Sequence, residues 1–136
     1  MHFVLNNWYL FLALIVIVAL ILASPAMQLI YRIKSVSPAQ TVLLMNRESA
    51  TMVDVSEPNE FKAGHIPSAI NAPISKFEEH LKPLEKHKQK PVVVSCRSGN
   101  RSMKAAVVLR KRGFASVYAL AGGLTAWERD HLPLEK

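Results

Sequence analysis

The chain of 136 residues holds one cysteine, Cys96. A lone thiol excludes an internal disulfide framework and a cysteine-rich zinc site. It fits a reducing compartment and makes Cys96 a candidate nucleophile. Five histidines are scattered without a paired spacing such as His-x3-His, so no metal site is read, nor any cofactor. No Asp, Glu, Lys or Arg occurs before Arg32. The first 31 residues are thus one kind of polymer and the rest another. No internal repeat and no low-complexity segment is present, and the length suggests one domain plus an appendage.

Beyond that boundary charge is plentiful and uneven in sign. Lys and Arg number 17 against 10 Asp and Glu, a formal net charge of +7. Such an excess raises nucleic acid or anionic lipid as partners. The basic residues are spread through the chain, with short clusters at Lys86, Lys88, Lys90 and at Arg110, Lys111, Arg112. Solvated faces beside an anionic membrane account for this better than nucleic acid, which is not expected as a partner. A net positive field also draws in small anions.

Trp8 to Ala23 reads WYLFLALIVIVALILA, sixteen residues without charge. Ser24 to Ile30 brings the run to the roughly 20 residues that cross a hydrocarbon core. Trp8, Tyr9 and Tyr31 lie at its edges as interfacial aromatics do, and Arg32 and Lys34 follow at once. The expectation is a transmembrane anchor over residues 1–30, crossing through 8–30, with the amino terminus outside. A linker over 31–36 and a cytoplasmic domain over 37–136 complete the division. Two rivals fit less well. A cleaved signal peptide needs a basic start, which Met1 to Asn7 lacks, although Ser24-Pro25-Ala26 loosely resembles a cleavage site. A buried core helix would not be apolar on every face.

From Ser37 onward strand and helix patterns alternate. Ser37 can cap a helix with Pro38 at its first position and Leu43 and Leu44 as apolar contacts. Thr51 to Val55 reads as a buried strand, Glu57 to Lys62 as a helical turn ending near Gly64, and Ala69 to Ala72 as a short strand. Ser75 can cap KFEEHLKPLEK, which Pro83 interrupts. Pro91 to Ser95 (PVVVS) is the strongest strand signal. Ser102 to Arg112 is helical with Gly113 as its stop, and Ser116 to Leu120 is a final strand. Gly122-Gly123 turns into a last helix holding Trp127, a core or lip aromatic. This alternation indicates a mainly parallel sheet with helices on both faces.

Residues 96 to 102, CRSGNRS, sit between the best strand and a good helix. Ligands of α/β sheets bind where strand carboxyl ends meet helix amino ends. A loop from Arg97 to Arg101 can curl around the Cys96 sulfur. Backbone N–H groups, including those of Ser98 and Asn100, can line it as an anion nest, joined by the helix dipole. Both stabilise a thiolate, a terminal persulfide or a bound oxyanion. Gly99 permits the curl through positive φ. Arg101, with Arg97, supplies fixed charge for an anionic donor. Ser102 is an N-cap or a donor at the rim. The competing reading is a small buried cysteine beside solvated arginines. Asp54 is either a supporting group near this loop or a turn acceptor for the Glu57 segment. Glu60 and His65 are expected to contact each other, and His65 is open to a supporting or general-base role.

The stretch from Val36 to Lys136 resembles the rhodanese family. VDVSEPNEFKAGHIPSAINAPI is similar to its amino-terminal signature, with Asp54, Glu60, Gly64, His65, Ile66, Ala69 and Asn71 in place. CRSGNRS resembles its active-site loop and YALAGGLTAW its carboxy-terminal signature. The resemblance implies a rhodanese-like α/β fold with a sheet of about five strands. It implies a cysteine, Cys96, that accepts sulfane sulfur from a small anionic donor such as thiosulfate and passes it to a thiol or protein acceptor. One amino-terminal span plus one such domain is similar to a group of bacterial inner-membrane proteins. Related phosphatases and arsenate reductases carry Cys-x5-Arg, whereas Cys96 to Arg101 is Cys-x4-Arg, the tighter sulfurtransferase form. Ser56 stands where many members have an Arg that braces the site. Three functions follow as alternatives: a sulfurtransferase, a membrane-tethered binding module with weak or no transfer, and, on the Cys-to-Arg loop alone, a phosphatase or arsenate reductase.

Overall fold

Five parallel strands form one sheet in the order β1-β5-β4-β2-β3 in the computed structural model. Residues 1–23, 30–97, 99 and 101–136 are described in full, 24–29 and Asn100 by backbone alone, and Ser98 lies outside the described residues. The strands are β1 (Lys34–Val36), β2 (Thr51–Asp54), β3 (Ile70–Asn71), β4 (Val92–Ser95) and β5 (Val117–Leu120). The helices are α1 (His2–Asn6), α2 (Trp8–Ile30), α3 (Pro38–Arg47), α4 (Pro58–Ala63), α5 (Phe77–Leu84), α6 (Asn100–Lys111) and α7 (Gly123–Arg129).

β4 is central because all four of its residues are buried and three are valine, which suits a strand covered on both faces. Its alternating side chains divide the core. Val92 and Val94 join Val53, Val117 and Ala119 beneath α5 and α6. Val93 joins Met52, Val36 and Leu120 beneath α3 and α7, where Leu124 and Trp127 pack. Helices on both faces and a parallel sheet of five strands match the expectation from sequence.

β1 corrects the expected boundary. Residues 31–36 are not simply a linker, for Lys34, Ser35 and Val36 pair with Tyr118, Ala119 and Leu120 of β5. The physical reason is burial: Ile33 and Val36 enter the two cores on opposite faces of the sheet. Two charged or polar neighbours hide this strand in the sequence. Arg110 reinforces the junction, its Nε donating to the Tyr31 carbonyl at 2.8 Å.

Among the described residues no helix is long and apolar enough to cross a membrane. The expected transmembrane helix over 8–30 is therefore not found. Its described side chains, Trp8 to Ala23 and Ile30, are all exposed. The segment expected to complete the span, 24–29, lies outside the described side chains.

Local details follow the cap chemistry. Ser37 caps α3 in a reciprocal box with Gln40, at 3.1 and 2.9 Å, with Pro38 first in the helix. Leu44 packs into the core while Leu43, expected beside it, is 49% exposed. Ser75 does not cap α5. It lies in a 3-10 turn, Ile74–Lys76, and its hydroxyl donates to Glu57 at 3.0 Å. Pro83 sits in the last turn of α5, one residue before its end, and a 3-10 turn, Glu85–His87, follows.

Candidate active site

Cys96 follows the last residue of β4 at the carboxyl edge of the sheet and is 1% exposed. The Gly99 N–H donates to its Sγ at 3.0 Å. Gly99 has φ 96°, a left-handed conformation that glycine adopts without a Cβ penalty, and it caps α6. The helix thus starts at Asn100, not at Ser102. Ser102 is no N-cap: its buried hydroxyl donates back to the Gly99 carbonyl at 2.9 Å, tying the loop to the helix's first turn. Ser98 and the Asn100 side chain lie outside the described residues.

The last helix, α7, holds the loop from below, a contact the sequence did not reveal. The first turn of α7 donates Leu124 N–H to the Cys96 carbonyl at 2.8 Å and Thr125 N–H to the Arg97 carbonyl at 3.1 Å. The Thr125 hydroxyl adds a bond to the same Arg97 oxygen at 3.0 Å. With these carbonyls held by α7, the loop's Gly99 N–H is turned toward the sulfur. The contact is so close that a Cβ on Gly123 would stand 2.1 Å from the Cys96 oxygen. Gly122 and Gly123, read from sequence only as a tight turn, therefore also form the floor of the loop. The signal was present in the paired glycines, but nothing local indicated what backbone they would touch.

Glu60 grips the Arg101 guanidinium through two bonds of 2.7 and 3.0 Å. Glu60 reaches from α4, and its Oε1 also accepts the Glu57 N–H at 3.1 Å. The Arg101 hydrogen bond is the main reason the Glu60 carboxyl is held down to about 2, with the Glu57 N–H next. Arg101 is in turn pushed above its ordinary value, first by Glu60, with smaller contributions from the Cys96 and Glu57 charges. Arg97 lies further out, 56% exposed along its side chain, its Nε 3.9 Å from Glu60.

The expected Glu60–His65 contact is absent: the Glu60 carboxylate is held by Arg101 in two charge-assisted hydrogen bonds. His65 instead bonds the Phe61 carbonyl through Nδ1 at 2.8 Å, stacks on the Phe61 ring, and lies 3.6 Å from the Glu135 carboxylate. Its backbone pairs with that of Glu135 in both directions. His65 is thus a fastening point for the chain's end. Asp54 is buried and acts as a turn acceptor, taking the Ser56 N–H at 2.8 Å. The Asn71 amide donates to the carbonyls of Asp54 and Ser56, at 3.1 and 2.9 Å. The Ser56 segment is thus braced from β3.

A cavity of about 500 Å³ lies elsewhere, lined by Lys34, Gln40, Leu44, Arg47 and Tyr118 among others, and no described residue of the loop borders it.

Comparison with known proteins agrees with this architecture. The profile described as Rhodanese-like domain matches residues 37–130. An uncharacterized protein of Escherichia coli K12, YibN, is 34% identical over 135 residues, covering 98% of this chain and 94% of that one. The thiosulfate sulfurtransferase GlpE of Pseudoalteromonas translucida is 39% identical over 98 residues, covering 70% and 89%. Among solved structures, the polysulfide-sulfur transferase homodimer of Wolinella succinogenes superposes with a TM-score of 0.70 at 29% identity, covering 86% and 88%. By profile, sequence and fold alike, this chain belongs to the rhodanese-like domain family, whose relatives include named sulfurtransferases.

Proposed function

We propose that the protein is a sulfurtransferase that carries sulfane sulfur as a persulfide on Cys96. The observation that carries this reading is the Gly99 N–H aimed at the Cys96 sulfur at 3.0 Å, in a loop held by α7. A donor N–H at that distance favours an anionic sulfur. In the first step the Cys96 thiolate attacks the sulfane sulfur of thiosulfate. A new S–S bond forms, the donor's S–S bond breaks, and sulfite leaves with the electron pair. In the second step a thiol or protein acceptor attacks the terminal sulfur and the Cys96 thiolate departs. Two covalent half-reactions predict ping-pong kinetics. Mass spectrometry after thiosulfate treatment should show one added sulfur on Cys96, absent from Cys96→Ser. No adduct and no turnover would remove this reading.

Two observations favour a second reading, a rhodanese-fold binding module. Cys96 is 1% exposed, and Arg101 is occupied by Glu60. Cys96→Ser separates the two in cells: a binding module keeps its role, a sulfurtransferase loses it.

We also propose attachment to a bacterial inner membrane through the amino-terminal helix, with the domain facing the cytoplasm. The support is the absence of charge before Arg32, the exposed apolar side chains from Trp8 to Ala23, and the cations Arg32 and Lys34 that follow. A reporter fused after Lys136 should act in the cytoplasm and sediment with membranes. Periplasmic activity, or recovery of the full chain in the soluble fraction, would overturn the assignment.

A further inference from the structure

A formal charge of +7 suggests a protein that gathers anions of any valence. The surroundings of Cys96 are different. Arg97 and Arg101 face Glu60, and the charge of Glu57 also acts on Arg101. The Glu60 carboxylate thus compensates most of the cationic charge beside Cys96, and Glu57 contributes less. What favours an anion here is the partial charge of backbone N–H groups such as that of Gly99. A partial charge stabilises a single negative charge well but leaves a second one without a partner.

We propose that this charge-balanced mouth makes the protein select singly charged sulfane donors over doubly charged ones, and that Glu60 is the residue that sets the selection. The inference rests on the sulfur-transfer reading above and deepens it by naming the class of donor. Glu60 is a positioning residue: it acts through Arg101, by holding that guanidinium in a bidentate grip and cancelling its charge.

Two donors isolate the effect. Thiosulfate is a dianion. Methanethiosulfonate has a methyl group in place of one oxygen and is a monoanion. Both present the same terminal sulfur. Cys96 thiolate attacks it, the new S–S bond forms, and the old S–S bond breaks. The electron pair leaves with sulfite from the first and with methanesulfinate from the second. Charge balances in each case, and no outside oxidant or reductant enters.

Glu60→Gln keeps the side chain's length and one carbonyl acceptor, and adds one positive unit to the mouth. A unit charge several ångströms from the donor, in a partly solvated setting, should favour the dianion by about threefold to tenfold more than the monoanion. Arg97→Gln removes one positive unit from an exposed side chain and should move selection the other way. The measurement is kcat/KM of the full-length chain for both donors. The thiosulfate to methanethiosulfonate ratio should rise with Glu60→Gln and fall with Arg97→Gln. An unchanged ratio in the folded variants, or movement in the opposite sense, overturns the proposal. Circular dichroism checks folding, and if Glu60→Gln does not fold, Arg97→Gln decides.

A binding measurement keeps this proposal separate from the one it rests on. In a Cys96→Ser background no sulfur can move, and the Gly99 amide resonance reports anion binding by titration. If the wild type transfers from neither donor while Cys96→Ser binds the monoanion more tightly, transfer fails and charge selection stands. If Cys96→Ser and its Glu60→Gln double variant bind the two anions with equal preference, or bind neither, charge selection fails.

Discussion

Glu60 on α4 holds Arg101 on α6 in a bidentate ion pair, 2.7 and 3.0 Å long, across 41 positions of sequence. The bond closes the turn after β2 onto the helix that begins at the Cys96 loop. It makes Arg101 a brace of the loop's own shape. The consequence for stability depends on pH, because the carboxyl is held near 2 instead of its usual 4.5.

A depressed carboxyl contributes stability above its unfolded value and loses it as pH falls through its folded value. Glu60→Gln should therefore lower stability at pH 7 by about 1–2 kcal/mol, the ion pair being partly exposed and screened. The deficit should shrink below pH 4.5 and be mostly lost as the pH falls through about 2. Urea melts of both proteins across this range check it. A deficit undiminished at pH 2 would assign the loss to packing.

Gly123→Ala tests the floor of the loop. The added Cβ meets the Cys96 oxygen at 2.1 Å and stands on a residue with φ 55°. Moving that backbone should cost about 2–3 kcal/mol and abolish most sulfur transfer. Gly113→Ala is the control. It has φ 89° but meets only the flexible end of Lys88, so it should cost about 1 kcal/mol and leave transfer intact. Thermal melts and persulfide formation distinguish the two.

A chain beginning at Tyr31 should fold, while one beginning at Ser37 should be weaker by about 3 kcal/mol or more. The shorter chain lacks β1, the buried Ile33 and Val36, and the Tyr31 carbonyl that Arg110 binds. Denaturant midpoints of both chains are the measurement. Equal midpoints would mean that β1 adds nothing to the sheet.

Ser37→Ala removes the hydroxyl that accepts the Gln40 N–H and so opens the capping box of α3. The expected loss is about 1 kcal/mol. Ser37→Asp, which keeps an acceptor at the same position, should restore most of it. Denaturant melts read both.

Much of the fold was legible because its signals are local. The β-branched run before Cys96 could be buried only as a central strand, and it is. Ser37-Pro38 carried its own cap chemistry, and Gly99 its own φ. Strand β1 was not legible, since three residues with one buried side chain carry no period to detect. The turn that brings the Gly99 N–H to the Cys96 sulfur was legible from the glycine itself. Its neighbours were not: Glu60 was paired with the nearer His65, five positions away, when the stronger partner lay 41 positions on.

What the sequence by itself determined was the alternation of elements, the Cys-x4-Arg loop and the uncharged first 31 residues, for each depends on residue type and short spacing. Only the tertiary structure decided where charge goes around Cys96. Electrostatic pairing follows distance in space, and the folded chain brings Glu60 from α4 and the turn of α7 against one loop. An arginine's availability is a property of its neighbours, and these are set when the sheet closes.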